Sequence, residues 1–123
     1  PVIRDVDQLT IAELAVKVME IAEKGRTRQL SLNDMKDGTF TVTNYGSIGG
    51  LYAVPVINYP QSAILGIGRL FEKPIFKGTE VVKGSFFPLS LSVDHRIVDG
   101  GETTRFLNSV MGYLNEPVLM LMD

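Results

Sequence analysis

The 123 residues include no cysteine, no tryptophan and a single histidine. Without cysteine there is no disulfide scaffold, no thiolate-bound zinc, no iron–sulfur cluster and no thiol nucleophile within the chain. One imidazole excludes a multi-histidine metal centre built by a single copy. Charge of either sign is scarce in excess. Twelve Lys and Arg stand against 14 Asp and Glu, a net charge of −2, which lacks the basic footprint of a nucleic-acid binder. No apolar run reaches the ~18–20 residues of a membrane span. Pro1-Val2-Ile3-Arg4-Asp5 has neither the layout of a signal peptide nor an initiating methionine, which reads as trimming or a fragment.

What is present describes one ordinary globular domain, 45% apolar and 21% charged. Ile11, Leu14, Ala15, Val18, Ile21 and Ala22 recur at helical spacing. Thr10 and Glu13 form a capping box before them, and Gly25 is placed to end the helix, predicted over residues 11–24. Ser31-Leu32-Asn33-Asp34 suits a single helical turn. Residues 39–43 alternate in the manner of a half-buried strand, and a glycine-rich loop, residues 44–50, follows. A short strand broken by Pro55 is expected over residues 51–58, and a strand buried on both faces over 62–70, with Gly66 and Gly68 permitting close approach. Residues 73–77 and 80–94 read as a hairpin around Gly78-Thr79. In its second arm Leu89, Leu91 and Val93 face one way and Ser90, Ser92 and Asp94 the other. A second amphipathic helix over residues 101–115 is stopped by Pro117, and the apolar tail 118–122 needs cover from this chain or a neighbour. The expected class is therefore α+β, with a mixed, largely antiparallel sheet and flanking helices.

Neither glycine-rich stretch fits a nucleotide loop. Gly46-Ser47-Ile48-Gly49-Gly50 lacks the Gly-Lys-Ser/Thr ending of a P-loop, and Gly66-Ile67-Gly68 has Phe71 at the third fingerprint position. Tight turns and close packing account for both. The informative stretch surrounds the lone imidazole, where a strand gives way to a loop and then a helix. Imidazole, with an ordinary pKa near about 6.5, is the natural general base at neutral pH. On residue types alone, a histidine such as His95 between Asp94 and Arg96 is more often a structural hydrogen-bonder than a base, and Asp99 with Glu102 forms an N-capping pair.

Asp94-His95-Arg96-Ile97-Val98-Asp99-Gly100 resembles the Asp-His-Arg-x-x-Asp-Gly signature of the dihydrolipoamide acyltransferases, the E2 components of 2-oxo acid dehydrogenase complexes. Thr39-Phe40-Thr41-Val42-Thr43-Asn44 with its loop, and Pro55-Val56-Ile57-Asn58-Tyr59-Pro60-Gln61-Ser62-Ala63-Ile64-Leu65-Gly66, resemble further blocks of the same domain in the same order. The shorter His-x-x-x-Asp-Gly pattern is shared with chloramphenicol acetyltransferases. The resemblance implies a chloramphenicol acetyltransferase-like fold and acyl transfer, acetyl or branched-chain acyl first, between a dihydrolipoyl group and coenzyme A. It makes His95 the general base, Thr43 the oxyanion donor and Asp99 the residue that steadies the loop. Asn44, Gly46 and Ser47 border the substrate channel. Asp94 and Arg96 pair structurally.

The family pattern further implies that coenzyme A is a substrate, that the lipoyl group comes from a separate domain, and that no metal is involved. It implies homotrimers with active sites between subunits, built into a cubic or dodecahedral core, and contact with lipoyl domains. E1 and E3 enzymes are held through domains absent from these 123 residues, namely the lipoyl and peripheral-subunit-binding domains. It assigns no nucleic acid and no membrane, and a place in the cytoplasm, or the mitochondrial matrix in a eukaryote. The family's catalytic domain is about twice this long, so residues 1–123 correspond to its C-terminal portion. A non-catalytic assembly module of such a complex and an antibiotic O-acetyltransferase of the same fold are the alternatives.

Overall fold

Capping chemistry organises the first of two compact units, Pro1–Thr39 and the remainder from Phe40, in a computed structural model that describes residues 1–122. The Thr10 Oγ1 accepts from the Glu13 N–H at 3.2 Å, and the Glu13 carboxylate accepts from the Thr10 N–H at 2.8 Å, so helix α1, Ile11–Arg26, starts where its sequence predicts. It ends beyond Gly25. Arg28 takes the left-handed position (φ 57°), its N–H reaching the Gly25 carbonyl at 3.3 Å and the Gln29 N–H the Lys24 carbonyl at 2.8 Å. This is a Schellman closure with arginine where glycine is usual, which is why the helix continues through Gly25. A second capping box, Ser31 with Asp34, starts a 3₁₀ turn at Leu32–Met35. The N-terminal segment is tied to that turn through the Val2 N–H to the Asp34 carbonyl (2.7 Å) and Arg4 to the Asn33 carbonyl (3.1 Å).

The second unit is built on strand β2, Ala63–Ile67. It pairs in parallel with β1, Thr41–Asn44, on one edge and antiparallel with β5, Leu89–Val93, on the other. Ala63, Ile64 and Leu65 are the buried apolar core among the described residues, at 9%, 6% and 7% exposure. Strands β3, Phe71–Lys77, and β4, Glu80–Phe86, form a separate hairpin with Gly78 at φ 66° in its turn. Helix α2, Gly100–Asn115, follows β5. Its Phe106 ring lies 5.8 Å from that of Phe40, and a 3₁₀ turn at Pro117–Leu121 closes the described chain. The architecture is α+β with a mixed sheet, as expected.

Two expectations need correction. Residues 51–58 form no strand. Both edges of β2 are already taken, Pro55 offers no N–H, and Val54 and Val56 stand 90% and 86% exposed. The second hairpin arm is two strands. At Phe87-Pro88 the chain leaves β3, because the Pro88 carbonyl accepts from the Gly68 N–H (2.9 Å) and steers β5 alongside β2. The tail folds back in part. Leu119 and Met122 join Ser109 and Gly112 around a shallow cavity of about 420 Å³, while Leu121 stays 81% exposed.

Glycines set how closely the connections pack. A Cβ on Gly68 would meet the Leu51 carbonyl oxygen, and the Pro88 ring at 2.5 Å, neither able to yield. Gly68→Ala is expected to lower stability by about 1–3 kcal/mol, the usual cost of overpacking. Gly112, in the last turn of α2 with nothing within 4 Å of its Cβ position, is the control: Gly112→Ala is expected to leave stability unchanged or raise it by up to about 0.5 kcal/mol. Urea midpoints of the two variants would check this pair.

Candidate functional site

The lone histidine is presented by a turn organised around one carboxylate. Asp94 follows the last residue of β5, and its N–H extends the sheet by donating to the Ser62 carbonyl at 2.8 Å. Its own carbonyl accepts from the N–H groups of Ile97 (2.9 Å) and Val98 (3.0 Å). Its side chain accepts from the Arg96 backbone N–H at 3.0 Å and from the Arg96 guanidinium, with Nη2 at 2.6 Å. These contacts close residues 94–98 into a tight loop with His95 and Arg96 on its exposed side. The Arg96 guanidinium and backbone N–H hold the Asp94 carboxyl down at about 2, and Asp94 in turn raises Arg96. The pair is structural, as the sequence predicts. The His95 imidazole makes no hydrogen bond to another described residue, which leaves both ring nitrogens open to a partner or a substrate.

Asp99 is occupied elsewhere. Its carboxylate accepts from the Glu102 N–H at 2.7 Å and its backbone N–H donates to Glu102 at 3.3 Å, the full capping box of α2. Asp99 therefore fixes where α2 begins, and with it the far end of the histidine loop, without a hydrogen bond to the imidazole.

Register sorts the remaining residues by sheet face. Thr43 pairs with Gly66, which pairs with Ser90, and Thr41 pairs with Ile64, which pairs with Ser92. These four hydroxyls share one face. Thr41 bonds the Gln61 side chain, whereas the Thr43 hydroxyl has no hydrogen-bond partner among the described residues. Tyr45 covers the same face: its hydroxyl lies 3.1 Å from the Ser90 Oγ. Asn44 projects to the opposite face. There Asn44, Gly46 and Ser47 border a groove of about 520 Å³ together with Leu65 of β2 and Val110 and Leu114 of α2. The Asn44 Oδ1 accepts from the Ser47 N–H, and the Ser47 hydroxyl donates to the Asn44 carbonyl, both at 3.2 Å. This knots the loop directly after Thr43.

The structure thus groups Asn44, Gly46 and Ser47, and holds Thr43 on the other face. It does not bring Thr43 and His95 together within one chain. From Thr43 to Val93 the path crosses two strand spacings and runs three residues along β2, about 14 Å, and His95 lies beyond Val93. Ser90, Ser92 and Tyr45 carry no functional assignment in the sequence, although the Ser/Leu alternation of β5 already put both serines opposite the core. The described residues hold no cluster of three or more metal-ligating side chains, and no helix is long and apolar enough to cross a membrane.

Residues 1–122 match the family model of the 2-oxoacid dehydrogenases acyltransferase, catalytic domain. The chain is 45% identical over 122 residues to the dihydrolipoyllysine-residue acetyltransferase component of pyruvate dehydrogenase complex from Mycoplasma capricolum, covering 99% of this chain and 28% of that protein. Its fold is similar to that of Azotobacter vinelandii dihydrolipoamide acetyltransferase, with TM-score 0.92, 37% identity, and coverage of 98% of this chain and 50% of that one. The cubic core of a pyruvate dehydrogenase multienzyme complex matches with TM-score 0.92 and 36% identity, over 98% of this chain and 50% of that one. The chain therefore spans under a third of the curated relative and half of each solved chain.

The Asp94–Arg96 pair generates a pH expectation. Asp94 titrates lower when folded than its ordinary 3.8, so its stabilisation is complete above about pH 4 and is lost as pH falls through about 2. A carboxyl-carbon NMR titration should place the Asp94 midpoint near 2; a midpoint near 4 would show that the turn is not clamped.

Proposed function

The chain belongs to the 2-oxoacid dehydrogenase acyltransferases, and on that premise we propose that it is the C-terminal portion of a catalytic domain that transfers an acyl group between a dihydrolipoyl thiol and coenzyme A. The observation that carries this reading is the 94–98 turn, which leaves the imidazole as an exposed, unbonded group of the junction before α2. His95 takes the proton of the incoming thiol, and the thiolate attacks the thioester carbonyl. The tetrahedral oxyanion accepts a hydrogen bond from the Thr43 hydroxyl. Its collapse expels the second thiolate, which recovers the proton from His95. The protein brings base, donor and position, and the substrates bring both sulfurs.

Spacing supports the residue assignment. The A. vinelandii structure concerns the roles of a serine, a histidine and an asparagine in catalysis, separated in that chain by 52 residues and then 4. Thr43, His95 and Asp99 have the same separations here. Threonine retains the hydroxyl of serine. Aspartate exchanges a neutral amide for a carboxylate, and here that carboxylate caps α2. We assign Asp99 the positioning of the loop; Asn44, Gly46 and Ser47, expected along the substrate channel, lie on the face opposite Thr43 and serve instead to fix the end of β1.

The backbone separation of about 14 Å between Thr43 and Val93, two residues before His95, favours a site shared by two copies, each giving one residue. A homotrimer supplies such sites, and similarity to a cubic pyruvate dehydrogenase core supports assembly of trimers into a larger body. Lipoyl domains then deliver the dihydrolipoyl group, and E1 and E3 enzymes complete the reaction cycle. The compartment follows from that partnership: cytoplasm, or the mitochondrial matrix in a eukaryote.

Acetyl transfer from acetyl-CoA to dihydrolipoamide by the complete protein tests the reading. His95→Ala should lose about 10²–10⁴-fold in kcat. Thr43→Val should lose about 10²–10³-fold, with Thr43→Ser retaining activity. Chains carrying the two lesions separately, dissociated and reassembled together, should regain activity, since about a quarter of shared sites then unite both intact residues. No recovery on mixing would place both groups in one copy, and unchanged turnover in His95→Ala would end the proposal of a catalytic base.

A further inference from the structure

The Thr43 side of the sheet has a gap at its middle, and one aromatic ring fills it. Gly66 lies between Thr43 and Ser90 in the cross-strand row, and it contributes no side chain. A Cβ placed on Gly66 would lie 2.7 Å from Cε1 of Tyr45 and 3.4 Å from Cγ of Pro55, so the Tyr45 ring rests directly on the Gly66 backbone with Pro55 beside it. Neighbouring strands stand about 4.8 Å apart, which sets the ring one strand away from Thr43 in the same cross-strand row. Two bonds fix it there. The Tyr45 N–H donates to the Ile67 carbonyl at 3.2 Å, and its hydroxyl is paired with the Ser90 Oγ at 3.1 Å. A ring held at both ends is a rigid wall, whereas an aliphatic side chain in the same place would yield.

We infer that Tyr45 closes the acyl pocket beside Thr43, so that its ring sets the size of the acyl group the site accepts. This rests on the acyl-transfer reading above, in which the thioester carbonyl lies at the Thr43 hydroxyl and the acyl chain must extend along the adjoining surface. With the ring in place the Gly66 backbone beside Thr43 is covered, which suits an acetyl group. Removing it exposes a trough floored by the Gly66 backbone and walled by Pro55, with room for a branched chain. One methylene in such a pocket typically changes kcat/KM by about 10–200-fold.

The test compares acetyl-CoA with isobutyryl-CoA as donors to dihydrolipoamide in the complete protein. Tyr45→Ala should raise the isobutyryl-to-acetyl ratio of kcat/KM at least about 10-fold. Tyr45→Phe keeps the ring but frees it from Ser90, and should shift the ratio in the same direction by less than Tyr45→Ala does. If Tyr45→Ala does not assemble, Tyr45→Leu replaces it and should shift the ratio in the same direction. A folded variant that transfers acetyl with an unchanged ratio overturns the pocket assignment alone. Wild-type protein that transfers neither acyl group overturns the catalytic reading on which it stands.

Discussion

The second unit depends on β2 being enclosed along both edges. Parallel β1 and antiparallel β5 take its entire backbone hydrogen-bonding capacity, and its side chains include the three most deeply buried apolar groups described. That single constraint settles the surroundings. Residues 51–58 pass over β2 without pairing with it, since both of its edges are taken and Pro55 has no N–H to give a ladder. Gly66 and Gly68 must lack side chains, because Tyr45, Pro55, Leu51 and Pro88 pass directly over them. The histidine loop starts where the ladder stops, one hydrogen bond after Val93.

From that strand the two faces diverge in chemistry. One face is apolar and covered by α2, giving the groove near Leu65, Val110 and Leu114. The other carries Thr41, Thr43, Ser90 and Ser92. Hydroxyls aligned on a rigid sheet cost little reorganisation when charge develops near them, which is what an oxyanion requires. The imidazole, in contrast, is held by backbone geometry. Asp94 makes the loop rigid and Asp99 makes the helix start definite, and neither bonds the ring.

The chain leaves much apolar surface in water. Met19, Phe76 and Leu121 are exposed at 73%, 80% and 81%. Surfaces of this kind belong in contacts with other chains or segments. The chain covers half of each solved relative it matches.

Local chemistry made several elements legible from residues alone. Thr10 with Glu13, Ser31 with Asp34 and Asp99 with Glu102 marked three starts, because a capping box needs only neighbours three residues apart. Leu/Ser alternation in β5 predicted its two faces, and Asp94-His95-Arg96 with Asp99-Gly100 pointed to the family. Gly25 misled, since the backbone bonds of the closing turn are made with Arg28 at the left-handed position, beyond the glycine. The sequence by itself determined the caps, the periodicities and the reactive residue types, all of which depend on separations of a few residues. Only the tertiary structure decided that β5 leaves β4 for β2, that Thr43 and Asn44 face opposite ways onto different surroundings, and that Tyr45 lies over Gly66. Those outcomes depend on which strand occupies which edge, a competition among residues twenty or more positions apart that no local pattern records.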